Sequence, residues 1–256
     1  MAILSSVLSP LAYNVTHHRT KEGVSVLFLL TGDVQIGKTR WLENLCAGLQ
    51  AAGTCVAGVV APGQWVPRPE GQPGGKHGFD GAGRFEKLGI DNVLLPQGER
   101  IEFARRRDLA AKSKAFTEGT QAKAAKLGWA ISDTAIAQVN AHFAALAKQA
   151  GITPADSGMP ALPANETRLA PHAMLVVDEL GRLELLHSCG LTNALAILDA
   201  GPTPQFPHAI AVVRETLLDE ARRRFEPRWG KATVIGPDDA ARNLVLETAR
   251  AAGGAH

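Results

Sequence analysis

Residues Gly32-Asp33-Val34-Gln35-Ile36-Gly37-Lys38-Thr39 set two glycines, a lysine and a hydroxyl at the spacing G-x-x-x-x-G-K-[ST]. That spacing serves one kind of chemistry, the wrapping of a phosphate chain. Glycines let the backbone turn its N–H groups inward, Lys38 reaches the β- and γ-phosphates as a point charge, and the Thr39 hydroxyl ligates Mg²⁺. A helix starting here adds the positive end of its dipole. The expected ligand is a nucleoside triphosphate with Mg²⁺, held by residues 32–39 with Arg40 adjoining. A second group must hold the metal and activate water. The apolar run Ala173-Met174-Leu175-Val176-Val177 ends in Asp178-Glu179. Asp178, at the carboxyl end of a strand, is the candidate for Mg²⁺, and Glu179 for polarising the attacking water. Arg214 directly follows the apolar run 209–213 and is a candidate γ-phosphate sensor, the alternative being an ordinary strand-end arginine.

The flanking elements must position these groups. Residues 24–30 are nearly continuously apolar, as in a strand buried on both faces of a parallel sheet. Trp41, Leu42, Leu45, Cys46 and Leu49 recur at helical spacing and Gly53 is a stop signal, so a helix follows the loop. Residues 54–60 read as the next strand, completing a strand–loop–helix–strand unit. Further on, 92–97 and 100–105 flank Gly98-Glu99 as a β-hairpin. Its second arm ends in Arg105-Arg106-Arg107, either a phosphate clamp or a solvated basic patch. Trp129 before Ile131 is expected in core packing, the alternative being a ring beside the nucleotide base. Ser132 caps a helix bearing Ile136, Val139, Asn140, Phe143 and Leu146. Residues 191–198 and 215–225 read as helices, 232–235 as a last strand, and Asp238 as the cap of a final helix.

These residues resemble a known family. The loop 32–39, followed by Val177-Asp178-Glu179-Leu180-Gly181-Arg182-Leu183-Glu184-Leu185, is similar to the THEP1-type nucleoside-triphosphatases, with their GPPGVGKTT loop and VIDEIGKMEL-like stretch. Val56-Ala57-Gly58-Val59-Val60 and Gly78-Phe79-Asp80 resemble further elements in the family's order. The resemblance implies a P-loop α/β fold of the additional-strand, catalytic-glutamate type and Mg²⁺-dependent hydrolysis of several nucleoside triphosphates to diphosphates. It carries Lys38 and Thr39 over as phosphate and Mg²⁺ contacts, and Asp178 and Glu179 as Mg²⁺ and water-activating groups. Asp33 and Val34 stand where the family has prolines, Gln35 where it has the middle glycine, and Arg40 where it has a second threonine.

The expected fold is a three-layer α/β P-loop domain with a mainly parallel sheet, a β-hairpin elaboration and a flexible insert. At 256 residues the chain fits one such domain over 23–256, preceded by a leader at 1–22. A Pro- and Gly-rich loop at 62–83 and a Pro/Ala-rich insert at 151–171 account for the long interval between the two motifs. Net charge is +2, which gives no bulk signal for nucleic acid or a membrane surface. No apolar stretch is long enough to cross a bilayer. The cysteines, Cys46, Cys55 and Cys189, are too widely spaced for a zinc ribbon or redox pair and suit reduced thiols in the cytoplasm. His17-His18 lacks partners at metal-ligand spacing. No Asn-Lys-x-Asp or Thr-Lys-x-Asp follows, which counts against GTP as the preferred substrate without excluding it; the expected partner is ATP, with GTP or other triphosphates as alternatives. Two alternatives to hydrolysis stand: a small-molecule or nucleotide kinase with the arginine hairpin as lid, and a nucleotide-gated binding protein in which slow hydrolysis times a conformational change.

Overall fold

Alternation along the central strands divides their side chains between two helical layers. In the computed structural model, which describes residues 18–20, 23–68, 84–112, 116–124, 128–153 and 168–253, β2 spans Gly23–Leu30. Its Leu27 and Leu29 join one hydrophobic cluster, and Val26, Phe28 and Leu30 join another on the opposite face. β3 (Val56–Val60), β8 (Met174–Leu180) and β9 (His208–Val213) split in the same way. One face is covered by α1 (Lys38–Ala51) and α8 (Asp239–Gly253), through Leu42, Leu45, Leu49, Ala241 and Val245. The other is covered by α4 (Asp133–Gln149), α6 (Thr192–Ala200) and α7 (Leu218–Trp229), through Val139, Phe143, Leu195, Leu198, Phe225 and Trp229. Three layers result, with apolar surface on both sides of the sheet removed from water.

The parallel strands run in the order β10-β2-β9-β8-β3, with β10 at Thr233–Ile235. β9 therefore lies between the loop strand β2 and the carboxylate strand β8, as the additional-strand arrangement requires. All the loops at the carboxyl ends of these strands open on one edge, where α/β sheets bind ligands.

The expectation of a mainly parallel sheet holds for these five strands and not for the rest of the sheet. Beyond β3 the sheet continues antiparallel through β5 (Phe85–Leu95), β6 (Glu99–Arg106) and β7 (Trp129–Ile131), with β4 (Gly63–Pro67) also on β5. The hairpin is a sheet extension, not an appendage, because β5 is eleven residues long and spans both β3 and β4. Sequence gives a partial signal: β3 is buried at every residue, whereas β5 and β6 alternate in exposure. His18–Thr20, inside the segment assigned to a leader, forms β1 and pairs antiparallel with the start of β2. Gly78-Phe79-Asp80, most of the 62–83 loop and most of the 151–171 insert lie outside the described residues.

Two joints hold the assembly. At the seam between the parallel and antiparallel parts, Gly58 takes φ 126° and a Cβ there would lie 1.9 Å from the Val176 carbonyl oxygen. His142 of α4 donates a ring N–H to the Gly58 carbonyl at 3.1 Å, and Leu95, the β5 partner of Gly58, also bonds the ring. Desolvation holds this imidazole at about 4, well below its usual range. At the other end, the Trp41 indole in the first turn of α1 donates to the Asp238 carbonyl at 3.0 Å, while Asp238 Oδ1 caps α8 by accepting from Ala241 N at 2.8 Å. Ser132 caps α4 as its sequence position predicts, accepting from Ala135 N. The three cysteines are free thiols, and no described helix is long and apolar enough to cross a membrane.

Candidate functional site

The loop after β2 has the geometry that phosphate wrapping requires. Gly32 and Gly37 sit at φ 131° and 91°, and a Cβ on Gly32 would lie 2.6 Å from Ile36 Cδ1. Gln35 also adopts positive φ, 68°, at the position where the similar family carries glycine. A non-glycine residue there costs about 1–2 kcal/mol, so the loop keeps its shape despite the substitution. Residues 33–37 are exposed, and no side chain caps the first turn of the fourteen-residue α1. Its leading N–H groups therefore point outward beside the loop, an anion site in waiting. Arg40 is exposed in that same turn.

Lys38 folds back on its own loop, its Nζ donating to the carbonyls of Gly32 at 2.8 Å and Asp33 at 2.6 Å. Burial lowers its pKa, and Arg214 lowers it further, while Glu179, Asp178 and Asp33 oppose the shift. The candidates Glu179 and Arg214 and the metal candidate Asp178, from the ends of two further strands, all act electrostatically on Lys38.

β8 delivers the two carboxylates by a device that sequence reading did not anticipate. Val177 faces Ala211 and Leu180 faces Val213, so β8 carries one extra residue between them. A β-bulge re-aims side chains. Asp178 turns inward, 2% exposed, and Glu179 turns outward at φ 62°. A non-glycine residue held at positive φ is strain of about 1–3 kcal/mol, and strain of this kind concentrates at working sites. Asp178 Oδ2 accepts the Ala61 N–H at 2.9 Å. The Thr39 side chain stands near enough to favour its charged form, yet Oδ1 is buried without a hydrogen-bond partner of good geometry. Burial first, and the Glu179 charge second, raise the Asp178 pKa to about 7.

A buried carboxylate with a spare oxygen beside a hydroxyl fits Mg²⁺. Such an ion keeps several waters and takes one or two protein oxygens together with substrate phosphates. Among the described residues no cluster of three or more His, Cys, Asp or Glu side chains forms a cage. Thr39 and Asp178 would therefore hold the ion only together with the nucleotide.

Behind the bulge, Glu184 fixes the loop that carries Glu179. It is 5% exposed and accepts from Gly181 N at 2.9 Å and Leu191 N at 3.1 Å, joining both ends of α5 (Arg182–His187). Burial raises its pKa. Gly190, at φ 71°, leaves room that a Cβ would take from Glu184 Oε1. Asn140 of α4 donates to the Gly190 carbonyl at 2.8 Å and accepts from Asn193 N at 3.0 Å. This network ties the loop to α4 and α6. Sequence reading noted Glu184 only as part of a motif; its distance from the phosphate loop in the chain hid its positioning role.

The arginine cluster behaves differently from Arg214. Arg214 is exposed directly after β9, on the ligand edge. Arg105 pairs with Glu102 and stacks on Phe116, Arg106 pairs with Glu86 and Asp108, and Arg107 pairs with Glu118 at 2.7 Å. These pairs lie on and just past β6, five strands from β2, or about 24 Å along the sheet at the usual strand spacing. The cluster forms ion pairs on and beside the hairpin. Trp129 is half-buried on β7 against Ala61, Ile90 and Ala104, in keeping with the expected packing role.

No family model and no curated protein sequence matches this chain. Among solved structures it is similar to the solution structure of a human cancer-related nucleoside triphosphatase, at 18% identity and a TM-score of 0.45, over 90% of this chain and 97% of that one.

Proposed function

We propose that the chain hydrolyses nucleoside triphosphates to diphosphate and phosphate with Mg²⁺. The observation that carries this reading is the bulge in β8. It buries Asp178 with one oxygen unpartnered and turns Glu179 out, strained, within electrostatic reach of Lys38. The outward N–H groups of the loop bind the phosphates, and Lys38 exchanges the Gly32 and Asp33 carbonyls for phosphate oxygens. Thr39 and Asp178 would hold Mg²⁺, which would supply charge neutralisation for the phosphates. Glu179 takes a proton from a water whose oxygen bonds to the γ-phosphorus. The bond from that phosphorus to the β–γ bridging oxygen breaks, and the diphosphate leaves with the electron pair. Arg214 offsets negative charge as it develops.

Pairing of Arg105, Arg106 and Arg107 with carboxylates favours hydrolysis over the kinase alternative, whose lid was to be this arginine hairpin. The test is phosphate release from a panel of nucleoside triphosphates. Lys38→Ala is expected to abolish triphosphate binding. Glu179→Gln is expected to keep binding and lose about 10²–10⁴ in rate. Normal hydrolysis by Glu179→Gln removes the base, and a native protein that binds no triphosphate with Mg²⁺ ends the reading. Turnover that depends on an added hydroxyl acceptor points to the kinase, and slow turnover raised by a protein partner to the gated switch.

A further inference from the structure

The amino-terminal half of β5 runs past the carboxyl edge of the parallel strands. Val93 faces Val60, the last residue of β3, so the 85–90 portion lies beyond it and pairs with β4. Lys87, opposite Trp65 in that register, therefore projects from a wall on the ligand edge. Its stem crosses Gly63, where a Cβ would lie 2.6 Å from Lys87 Cε. Gly63 is two residues from Ala61, whose N–H holds Asp178. The ammonium stands 6.0 Å from the Trp65 ring centre and 5.6 Å from that of Trp129. Among the described residues no carboxylate pairs with it, although each arginine at 105–107 has one. Its charge also reaches Asp178 and favours the ionised form there.

Two indoles thus hold a lysine that makes no salt bridge among the described residues. Cation–π attraction keeps the charge in place, and the rotamer freedom of a long side chain has already been surrendered. Lys38 approaches the same edge from β2, while Lys87 approaches from beyond β3, with Asp178 and Glu179 between them. A triphosphate laid from the loop toward these carboxylates brings its terminal phosphate nearest to the Lys87 side.

We propose that Lys87, clamped by Trp65 and Trp129, is a further cationic contact, beside Lys38 and Arg214, for the terminal phosphate of the bound triphosphate. The inference rests on the triphosphatase reading and extends it. Lys38 grips any nucleotide with a β-phosphate, whereas Lys87 senses whether a third phosphate is present. A side chain at Gly63 would press on both the lysine stem and the Trp65 indole, and the two tryptophans serve as positioning residues. The contact opposes the charge repulsion between the γ-phosphate and Glu179 that hydrolysis must otherwise overcome.

The test is calorimetric titration of the full chain with Mg²⁺ and either a non-hydrolysable triphosphate or the diphosphate. Wild type is expected to prefer the triphosphate. Lys87→Gln is expected to lose about tenfold in triphosphate affinity, as for a lost charged hydrogen bond, and to leave diphosphate affinity within about twofold. Lys87→Arg is expected to restore most of the preference. Should the glutamine variant fold poorly, Lys87→Met keeps the stem across Gly63 and gives the same readout. A variant that folds and keeps the wild-type preference, or loses both affinities equally, overturns the role of Lys87 alone. A wild-type protein that binds neither nucleotide overturns the triphosphatase reading and this inference with it.

Discussion

At the carboxyl edge of the parallel strands, Lys38, Asp178, Glu179 and Arg214 make no salt bridge among the described residues, and the backbone around them is strained at Gln35 and Glu179. In the antiparallel extension, Arg100, Arg105, Arg106 and Arg107 each have a carboxylate partner. Both regions are rich in charge; the arginines of the extension spend theirs on carboxylates, whereas the four edge residues, like Lys87, do not. Charges that satisfy each other contribute modestly to a scaffold. Charges held apart, partly desolvated and on strained backbone have their electrostatic energy reserved for a ligand. Richness in arginine is thus a poor guide to phosphate chemistry, and the absence of a partner is a better one.

The sharpest way to break this contrast is to disturb the seam. Gly58→Ala forces a Cβ into the Val176 carbonyl at a φ that alanine resists. It is expected to cost about 4 kcal/mol or more in urea denaturation; a stable variant would mean that the two halves are not rigidly joined. Next in size is the comparison of single arginines. Arg214→Ala is expected to lower kcat about ten- to a hundredfold with little change in nucleotide affinity. Arg106→Ala is expected to leave kcat within about twofold and to cost about 1 kcal/mol or less in stability. Equal effects from the two would erase the distinction.

A pH scan of the seam separates the halves in another way. Unfolded His142 takes up a proton below its ordinary value of 6.5, whereas the folded ring refuses it until about 4. Its contribution to stability is therefore present above 6.5 and is lost as pH falls from 6.5 toward 4. Thermal melts of wild type are expected to fall across that window, and those of His142→Gln to fall less.

The phosphate loop was legible because its chemistry is local: eight consecutive residues hold the glycines, the lysine and the hydroxyl. Strands buried on both faces were legible from unbroken apolar runs such as 173–177. The bulge at Asp178-Glu179 was not legible, since it exists only in register with Ala211 and Val213, more than thirty residues away. The length of β5 was hidden because half-exposed strands carry a weaker pattern than buried ones. For Arg105-Arg106-Arg107 a clamp and a solvated patch both stayed open, because Glu86, 20 residues from Arg106, and Glu118 are not near neighbours in the sequence, although Glu102 and Asp108 are. Lys87 drew no notice at all, as its meaning depends on tryptophans 22 residues before it and 42 after.

The tie from Trp41 to Asp238 has a consequence for how the molecule is made. Its two ends are 197 residues apart in the chain, and the neighbouring bond from Thr31 N to the Ile235 carbonyl is as non-local. A ribosome delivers β2 and the loop first, and the strand that closes the open edge of β2 and the turn that anchors the loop helix follow only after that separation of 197 residues. A nascent chain therefore carries the 32–39 loop through all of that synthesis without the braces at Ile235 and Asp238.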